Sequence, residues 1–325
     1  MDAPLALCCL GHDTLLAMAD GALAAERIDR VIAHVDGCAR CAEVVAELGA
    51  LDGAGGHFGR YQLDRVIGVG GMGIVYAAYD VTLERRVALK RIRPERTTTD
   101  ARAAMFAEAR TLARISHPNV VAVFDVGAHD GEIYLATELV EGTTLQAWQA
   151  EPRTTHEVIA VWLQVARGLA AAHALEVVHS DIKPANVLIG DDGRVRIGDF
   201  GLARRATSAL SARVSAGTPA YMAPEHRAGL VDARSDQFSA CVAIVEALTG
   251  QRPEADVAPP IEPPALAAVL WRGLRADPGA RYPTMTAFAD ALEAAIAHRV
   301  PRWIVLAAFA AAALLGGLVT EALSR

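Results

Sequence analysis

Apolar residues recur along this chain in two periods. Short runs rich in Val, Ile, Leu and Tyr at residues 61–67, 74–76, 87–90 and 134–140 read as strands. Residues 22–35 and 100–115 instead carry apolar positions at helical spacing, and a further helix starts at Cys41 and runs to about residue 48. Val177 and Val178 precede a polar stretch at 179–186, and Val187, Leu188 and Ile189 follow it, so both flanks predict short buried strands. Residues 194–197 give one more strand-like run. Two stretches break the pattern. A Gly-rich spacer covers residues 51–57 within a wider run at 49–59, and five prolines (253, 259, 260, 263 and 264) crowd the segment ahead of Leu266. At the far end, residues 303–320 are 18 positions without a charge, the lower end of what spans a bilayer.

Composition sharpens this reading at a few positions. Of 31 basic residues only two are lysine, Lys90 and Lys183, and the only asparagines are Asn119 and Asn186. In a chain that uses Arg wherever a plain positive charge suffices, a surviving Lys marks a place that needs a compact ammonium. The net charge of −7 and the lack of a long basic run argue against nucleic-acid binding. Four of the five cysteines, Cys8, Cys9, Cys38 and Cys41, lie in the first 41 residues, and Cys241 stands alone. No secretory signal opens the chain, because Asp2, His12 and Asp13 interrupt a weak apolar stretch. Reduced thiols so grouped point to metal binding rather than disulfides.

The polar stretch at 179–186 reads His-Ser-Asp-Ile-Lys-Pro-Ala-Asn, which puts Asp181, Lys183 and Asn186 on one short loop. Thirteen residues past Asn186 comes Asp199-Phe200-Gly201. Phosphoryl transfer needs one carboxylate to orient the attacking hydroxyl, and an Asn and a second carboxylate to hold Mg²⁺. Gly68, Gly70 and Gly73 form G-x-G-x-x-G between two strands, a flap whose amides approach phosphates. Lys90 falls on the next strand. No G-x-x-x-x-G-K-[ST] occurs, which excludes a P-loop enzyme.

On these motifs, residues 58–296 resemble a bacterial, eukaryotic-like Ser/Thr protein kinase. The resemblance implies an α+β, bilobal protein kinase fold, with a small β-rich N-lobe and a helical C-lobe, that uses ATP and Mg²⁺ and phosphorylates protein substrates. It makes Asp181 the catalytic base and Lys183 the contact to the γ-phosphate. Asn186 and Asp199 become the Mg²⁺ ligands, and Lys90 pairs with Glu108 in the 100–115 helix. Gly68, Gly70, Gly73, Val75 and Ala88 would line the nucleotide pocket. Thr137 would be the gatekeeper, and Glu138 and Val140 would offer backbone groups to adenine. Leu112, His179 and Phe200 would stack as a hydrophobic spine, Glu225 would pair with Arg281, and Asp236 would brace the catalytic loop. Lys183 two past the base implies Ser/Thr rather than Tyr substrates. Two departures stand out: Ser180 replaces the family's usual Arg before the base, and the proline-rich segment shortens or removes a substrate-docking helix.

The first fifty residues carry a separate signal. His34, Cys38 and Cys41 form H-x3-C-x2-C across a turn between two helices, a spacing suited to Zn²⁺. The fourth ligand must come from upstream, where Cys9, Cys8 and His12 are available. Residues 8–50 resemble the small zinc-binding domain of anti-sigma factors, and that resemblance favours Cys9 through its distance to Asp20-Gly21. It implies a structural Zn²⁺ in a module at 1–50, and a sigma factor or another regulator as its partner. Arg299 and Arg302 before the 303–320 stretch, against Glu321 and Arg325 after it, predict a single-pass transmembrane helix with the kinase domain cytoplasmic, at the bacterial inner membrane. The rival readings are a pseudokinase scaffold and a sigma-factor-binding protein with an appended kinase.

Overall fold

The computed structural model describes residues 56–70, 73–92, 99–200, 219–254, 257 and 260–297, together with His34, Cys38 and Cys41. Cys9, Cys8, His12, most of the 51–57 spacer, residues 201–218 and the 303–320 stretch lie outside the described residues, as does the Glu108 side chain.

Strands come first in the described chain. β1 (His57–Phe58), β2 (Tyr61–Gly70), β3 (Gly73–Asp80), β4 (Arg85–Ile92), β5 (Val123–His129) and β6 (Glu132–Glu138) form an antiparallel sheet in the order β1-β2-β3-β4-β6-β5. A single helix, α1 (Thr99–Leu112), interrupts them between β4 and β5. Because side chains alternate across a strand, the register sorts residues onto two faces. Val75 pairs with Lys90, Ala77 with Ala88, Lys90 with Leu135 and Ala88 with Thr137. Those six share one face. The other face carries Tyr76, Ala78, Val87, Leu89 and Ala136, which pack with Phe58, Tyr61, Leu63 and Val66 as the small lobe's own core.

The helical lobe is built on two long helices. α3 (Thr155–His173) follows the short pair β7 (Gly142–Thr144) and α2 (Leu145–Trp148). It starts at a capping box: the Thr154 hydroxyl accepts the Glu157 N–H at 3.2 Å, and Glu157 accepts the Thr154 N–H at 2.8 Å. Gly168 is needed within it, since a Cβ there would lie 2.7 Å from the Asn119 carbonyl oxygen. α5 (Ala233–Thr249) also opens on a capping box, Asp232 with Ser235, and ends at Gly250 with φ 73°. Its residues from Ser235 to Val245 are almost continuously buried, as expected of a helix covered on all sides. α4 (Pro224–Arg227), α6 (Pro264–Gly273) and α7 (Met285–Ile296) complete the lobe, and α3, α5, α6 and α7 share one core with Trp162, Leu270 and Phe288 at its centre.

Three expectations change in detail. Val177 and Val178 form no strand, because the Val177 N–H closes the end of α3 on the Ala172 carbonyl at 3.1 Å and the His179 and Ser180 N–H groups just beyond the pair go to the Asp236 side chain. β8 (Val187–Gly190) and β9 (Val195–Ile197) do form, with β7, a second sheet in the order β7-β8-β9. α1 ends at Leu112 rather than at 115, and β6 ends at Glu138, so Val140 follows the strand. Between α5 and α6 the described residues of 251–263 contain no helix. Prolines remove backbone donors and hold the residues before them extended, which disfavours α-helix at the described residues here.

Candidate active site

The catalytic stretch hangs between α3 and β8, and its backbone is held by a buried carboxylate from α5. Asp236 accepts the N–H groups of His179 and Ser180, each at 2.8 Å, and the His173 Nε2–H at 2.8 Å. Burial would raise the pKa of Asp236, but these donors and the nearby imidazoles outweigh it and hold the pKa below the usual carboxylate range. With both amides so held, Ser180 takes φ 69°, a left-handed conformation that non-glycine residues adopt only when their surroundings enforce it. His179 fixes the next residues. Its Nε2 donates to the Gly198 carbonyl at 2.9 Å, so its Nδ1 accepts the Asp181 N–H at 3.2 Å.

Asp181, Lys183 and Asn186 converge as the sequence predicts. The Lys183 ammonium stands 3.4 Å from an Asp181 carboxylate oxygen. Asn186 donates both Nδ2 protons, to the Asp181 carbonyl at 2.8 Å and to its carboxylate at 3.1 Å. Its Oδ1 is left without a hydrogen-bond partner among the described residues, and that amide oxygen is the atom a hard cation prefers. The Gly198 N–H bonds the Asn186 carbonyl at 2.9 Å, which ties the second acidic turn to the first.

Asp199 has φ 53°, a second non-glycine residue in the left-handed region, with over half of its side chain open to the cleft. Its carboxylate forms an ion pair with Lys90 across the lobes. Desolvation pushes its pKa up, but Lys90 first, then His179 and Lys183, outweigh this and keep the group ionised. One ionised carboxylate and one unengaged amide oxygen make a hard-oxygen donor set that fits Mg²⁺. Phe200 turns inward and meets His179 at 4.6 Å between ring centroids, and both Phe200 and Leu112 belong to the large lobe's core.

The proposed nucleotide-lining residues lie together. Val75, Ala88, Lys90 and Thr137 occupy one face of the sheet, opposite its packed face. Gly70 pairs with Gly73 and Gly68 with Val75, the strand–turn–strand expected of a phosphate flap. Gly73, at φ 154°, is required there, since a Cβ would fall 1.8 Å from the Arg91 carbonyl oxygen. Glu138 donates its N–H to the Ala122 carbonyl at 2.9 Å, so the backbone group it retains for a ligand is its carbonyl.

Sequence reasoning missed the residues that fasten the hinge, the stretch from Glu138 to Glu141 that leads from β6 to β7. Arg196, in β9 and 5% exposed, reaches the Glu138 carboxylate at 2.8 Å. Asn119 is buried and donates to the Val195 carbonyl at 2.7 Å and to Gln164 at 3.1 Å. The scarcity that marks Asn186 also marks Asn119 and could have found it. Nothing distinguishes Arg196 among the other arginines. Away from the cleft, the ligand atoms of His34, Cys38 and Cys41 lie within 4.8 Å of one another, with the Cys41 Sγ 3.3 Å from the His34 Nε2. Two sulfurs and an imidazole nitrogen so close are a donor set that fits Zn²⁺.

Comparison with known proteins places this arrangement. The family model for the protein kinase domain matches residues 61–259. The serine/threonine-protein kinase Pkn1 of Myxococcus xanthus is 36% identical over 289 residues, 80% of this chain and 41% of Pkn1. The serine/threonine-protein kinase PknL of Mycobacterium tuberculosis is 43% identical over 200 residues, 60% of this chain and 50% of PknL. The chain thus spans about half the length of these curated relatives or less. Among solved structures, the Mycobacterium tuberculosis PknI kinase domain superposes with a TM-score of 0.63 at 29% identity, covering 74% of this chain and 98% of that one. The chain belongs to the protein kinase family and carries a kinase domain of the bacterial Ser/Thr type.

Proposed function

We propose that this chain is an ATP-dependent serine/threonine protein kinase, tethered to the cytoplasmic face of the bacterial inner membrane and carrying a regulatory zinc module at residues 1–50. The observation that carries the catalytic reading is the convergence of Asp181, Lys183 and Asn186 on one loop beside the Lys90–Asp199 pair. Bound Mg·ATP supplies the γ-phosphoryl group. Asp181 orients the substrate hydroxyl and accepts its proton, while Lys183 and Lys90 offset negative charge on the phosphates. Asn186 Oδ1 and the Asp199 carboxylate would hold Mg²⁺, and Glu108 would hold Lys90 when nucleotide engages it. Asp181 and Asn186 are on a short loop held by buried hydrogen bonds, so catalysis would be mainly positioning and electrostatics. The full chain incubated with Mg·ATP should give phosphoserine and phosphothreonine on a protein substrate, lost in Asp181→Asn. Absence of turnover in the wild type would favour a pseudokinase scaffold instead.

The zinc module rests on the His34, Cys38 and Cys41 cluster, and the resemblance favours Cys9 as the fourth ligand. One Zn²⁺ per chain is expected in the purified protein, lost in Cys38→Ser; a metal-free wild type of unchanged helicity removes the module from the reading. Its partner is a sigma factor or another regulator, which co-purification tests. No helix among the described residues is long and apolar enough to cross a membrane, and the tether rests on the uncharged 303–320 sequence. Truncation after Arg299 should release a soluble, active enzyme. Full-length chain that washes off membranes at high salt or high pH has no such span.

A further inference from the structure

The hinge of this kinase is locked to the strand that delivers Asp199 by one buried guanidinium. Arg196 sits in β9, three residues before Asp199, between the buried Val195 and Ile197. Its Nε stands 2.8 Å from a Glu138 carboxylate oxygen as an ion pair, and its Nη1 and Nη2 donate to Asp192 at 3.0 and 2.7 Å. The paired Asp192, against the cost of burial and with Glu138 beside it, raises the Arg196 pKa further, so the link stays charged. Glu138 is the residue directly after Thr137, and its carbonyl is the hinge group nearest in sequence to the sheet face that lines the pocket.

The link closes a ring. The Glu138 N–H bonds the Ala122 carbonyl at 2.9 Å, the Val121 N–H bonds the Ile197 carbonyl at 2.9 Å, and the Ile197 N–H bonds the Asn119 carbonyl at 2.9 Å. Residues 119–122 are therefore stitched by backbone to both the hinge and β9. Among the described residues, Arg196 supplies the side-chain bridge that joins hinge and β9 directly. Hydrogen bonds within strands and turns would form in any chain with this topology. The Arg196–Glu138 bridge is specific to these two side chains, and its burial makes loss of one partner costly.

We propose that Arg196 is a positioning residue for nucleotide binding: acting through Glu138, it sets the hinge carbonyl against the adenine edge in register with Asp199. This rests on the kinase reading above. Asp192, which grips the far side of the guanidinium and touches no hinge group, orients Arg196 without positioning the nucleotide.

The test compares full-length wild type, Arg196→Met, Arg196→Lys, Glu138→Gln and Asp192→Asn, reading KM for ATP, kcat, and ADP affinity by calorimetry. Arg196→Met should raise KM for ATP and weaken ADP by about tenfold or more, while kcat at saturating ATP changes less than about threefold. Lys reaches Glu138 with a single ammonium, so Arg196→Lys should recover most of that loss. Asp192→Asn should leave ADP affinity within about twofold of wild type. If Arg196→Met does not fold, Glu138→Gln carries the same expectation, because it removes the charge and keeps the shape. ADP affinity within twofold of wild type in both hinge variants, or kcat falling as far as kcat/KM, overturns the proposal. ADP affinity tests the bridge even if the wild type transfers no phosphate, so failure of the kinase reading and failure of this one are distinguishable.

Discussion

Arg281 and Glu225 meet in a two-pronged pair at 2.7 and 2.8 Å, and Arg281 has no N–H left over. Its other three go to the carbonyls of Arg275, Arg234 and Ala276 at 2.7, 2.9 and 3.2 Å. Glu225 also accepts the Ser235 hydroxyl at 2.9 Å, so the pair joins α4, the start of α5 and the 275–281 loop. The Arg281 side chain is fully buried and Glu225 nearly so. Removing either partner strands a buried charge. Arg281→Met or Glu225→Met should therefore cost about 3–5 kcal/mol in urea unfolding, and the double variant should recover part of it. A loss under about 1 kcal/mol in both single variants would mean the pair behaves as a surface bridge.

Lys90→Arg and Asp199→Ala should each abolish autophosphorylation with the fold intact. Lys90 faces the cleft from β4 and already engages Asp199, so the strand has shaped this place around a compact ammonium. A guanidinium is larger and spreads its charge over a planar fork, which displaces it from the phosphates. Losses on the order of 10³-fold in turnover are expected, with circular dichroism unchanged. Turnover within about tenfold of wild type in either variant would remove these residues from the catalytic set.

The Asp236 carboxylate makes stability depend on acid. Its folded pKa lies below the ordinary 3.8, because the donors around it outweigh the cost of burial. The unfolded chain therefore binds more protons as pH falls through that region. The stabilisation is complete above the unfolded pKa and is lost as pH drops toward the folded one. Wild type should lose stability progressively below about pH 5, and Asp236→Asn should be less stable at neutral pH with a shallower acid limb. Glu225 is depressed in the same direction by Arg281, so the limb should not vanish in the variant. Parallel acid limbs in the two proteins would show that Asp236 carries no folded-state shift.

What the sequence made legible was chemistry that recurs at fixed spacing. Asp181, Lys183, Asn186 and Asp199 fall on their loops, and Val75, Ala88, Lys90 and Thr137 share a face, because an alternating strand pattern sets the face once register is known. The pairing of Glu225 with Arg281 and the bracing by Asp236 follow the resemblance. Two kinds of feature stayed hidden. Val177 and Val178 look like a strand, yet backbone groups decide the matter: the His179 and Ser180 N–H groups go to Asp236, far along the chain, and leave no ladder to form. Arg196 was invisible because an arginine buried against Glu138 and one in solvent look alike in a chain where Arg supplies nearly every cation. Its burial is a property of the three-dimensional packing around β9, and no local pattern encodes it.

Ser180 sets the last prediction, on how the enzyme is switched on. In relatives with Arg at this position, the resemblance implies that a phosphate in the activation segment pairs with that Arg and orders the loop. Here the Ser180 N–H is bound to Asp236 at 2.8 Å, and among the described residues its hydroxyl reaches only the Val178 carbonyl, at 3.5 Å. A neutral hydroxyl of that reach makes no charge-assisted pair with a phosphate. The sequence of 202–216 still offers Thr207, Ser208, Ser211 and Ser215, with Arg204, Arg205 and Arg213 beside them. Those arginines could bind a phosphate locally, but the cation the resemblance expects next to the base, at position 180, is missing. Replacing the four hydroxyl residues with Ala should therefore change kcat on a peptide substrate by less than about tenfold, or ~1.4 kcal/mol in barrier. Thr218 is kept, because its family counterpart contacts the base and lysine directly. On the proposed reading, control would pass instead to zinc occupancy, membrane proximity or dimerisation. The companion variant Ser180→Arg supplies the missing cation at a backbone already held by Asp236, and its activity should become dependent on those four residues. A loss of about a hundredfold in the four-site variant, with ATP affinity intact, would show that the loop is a phosphorylation switch despite Ser180.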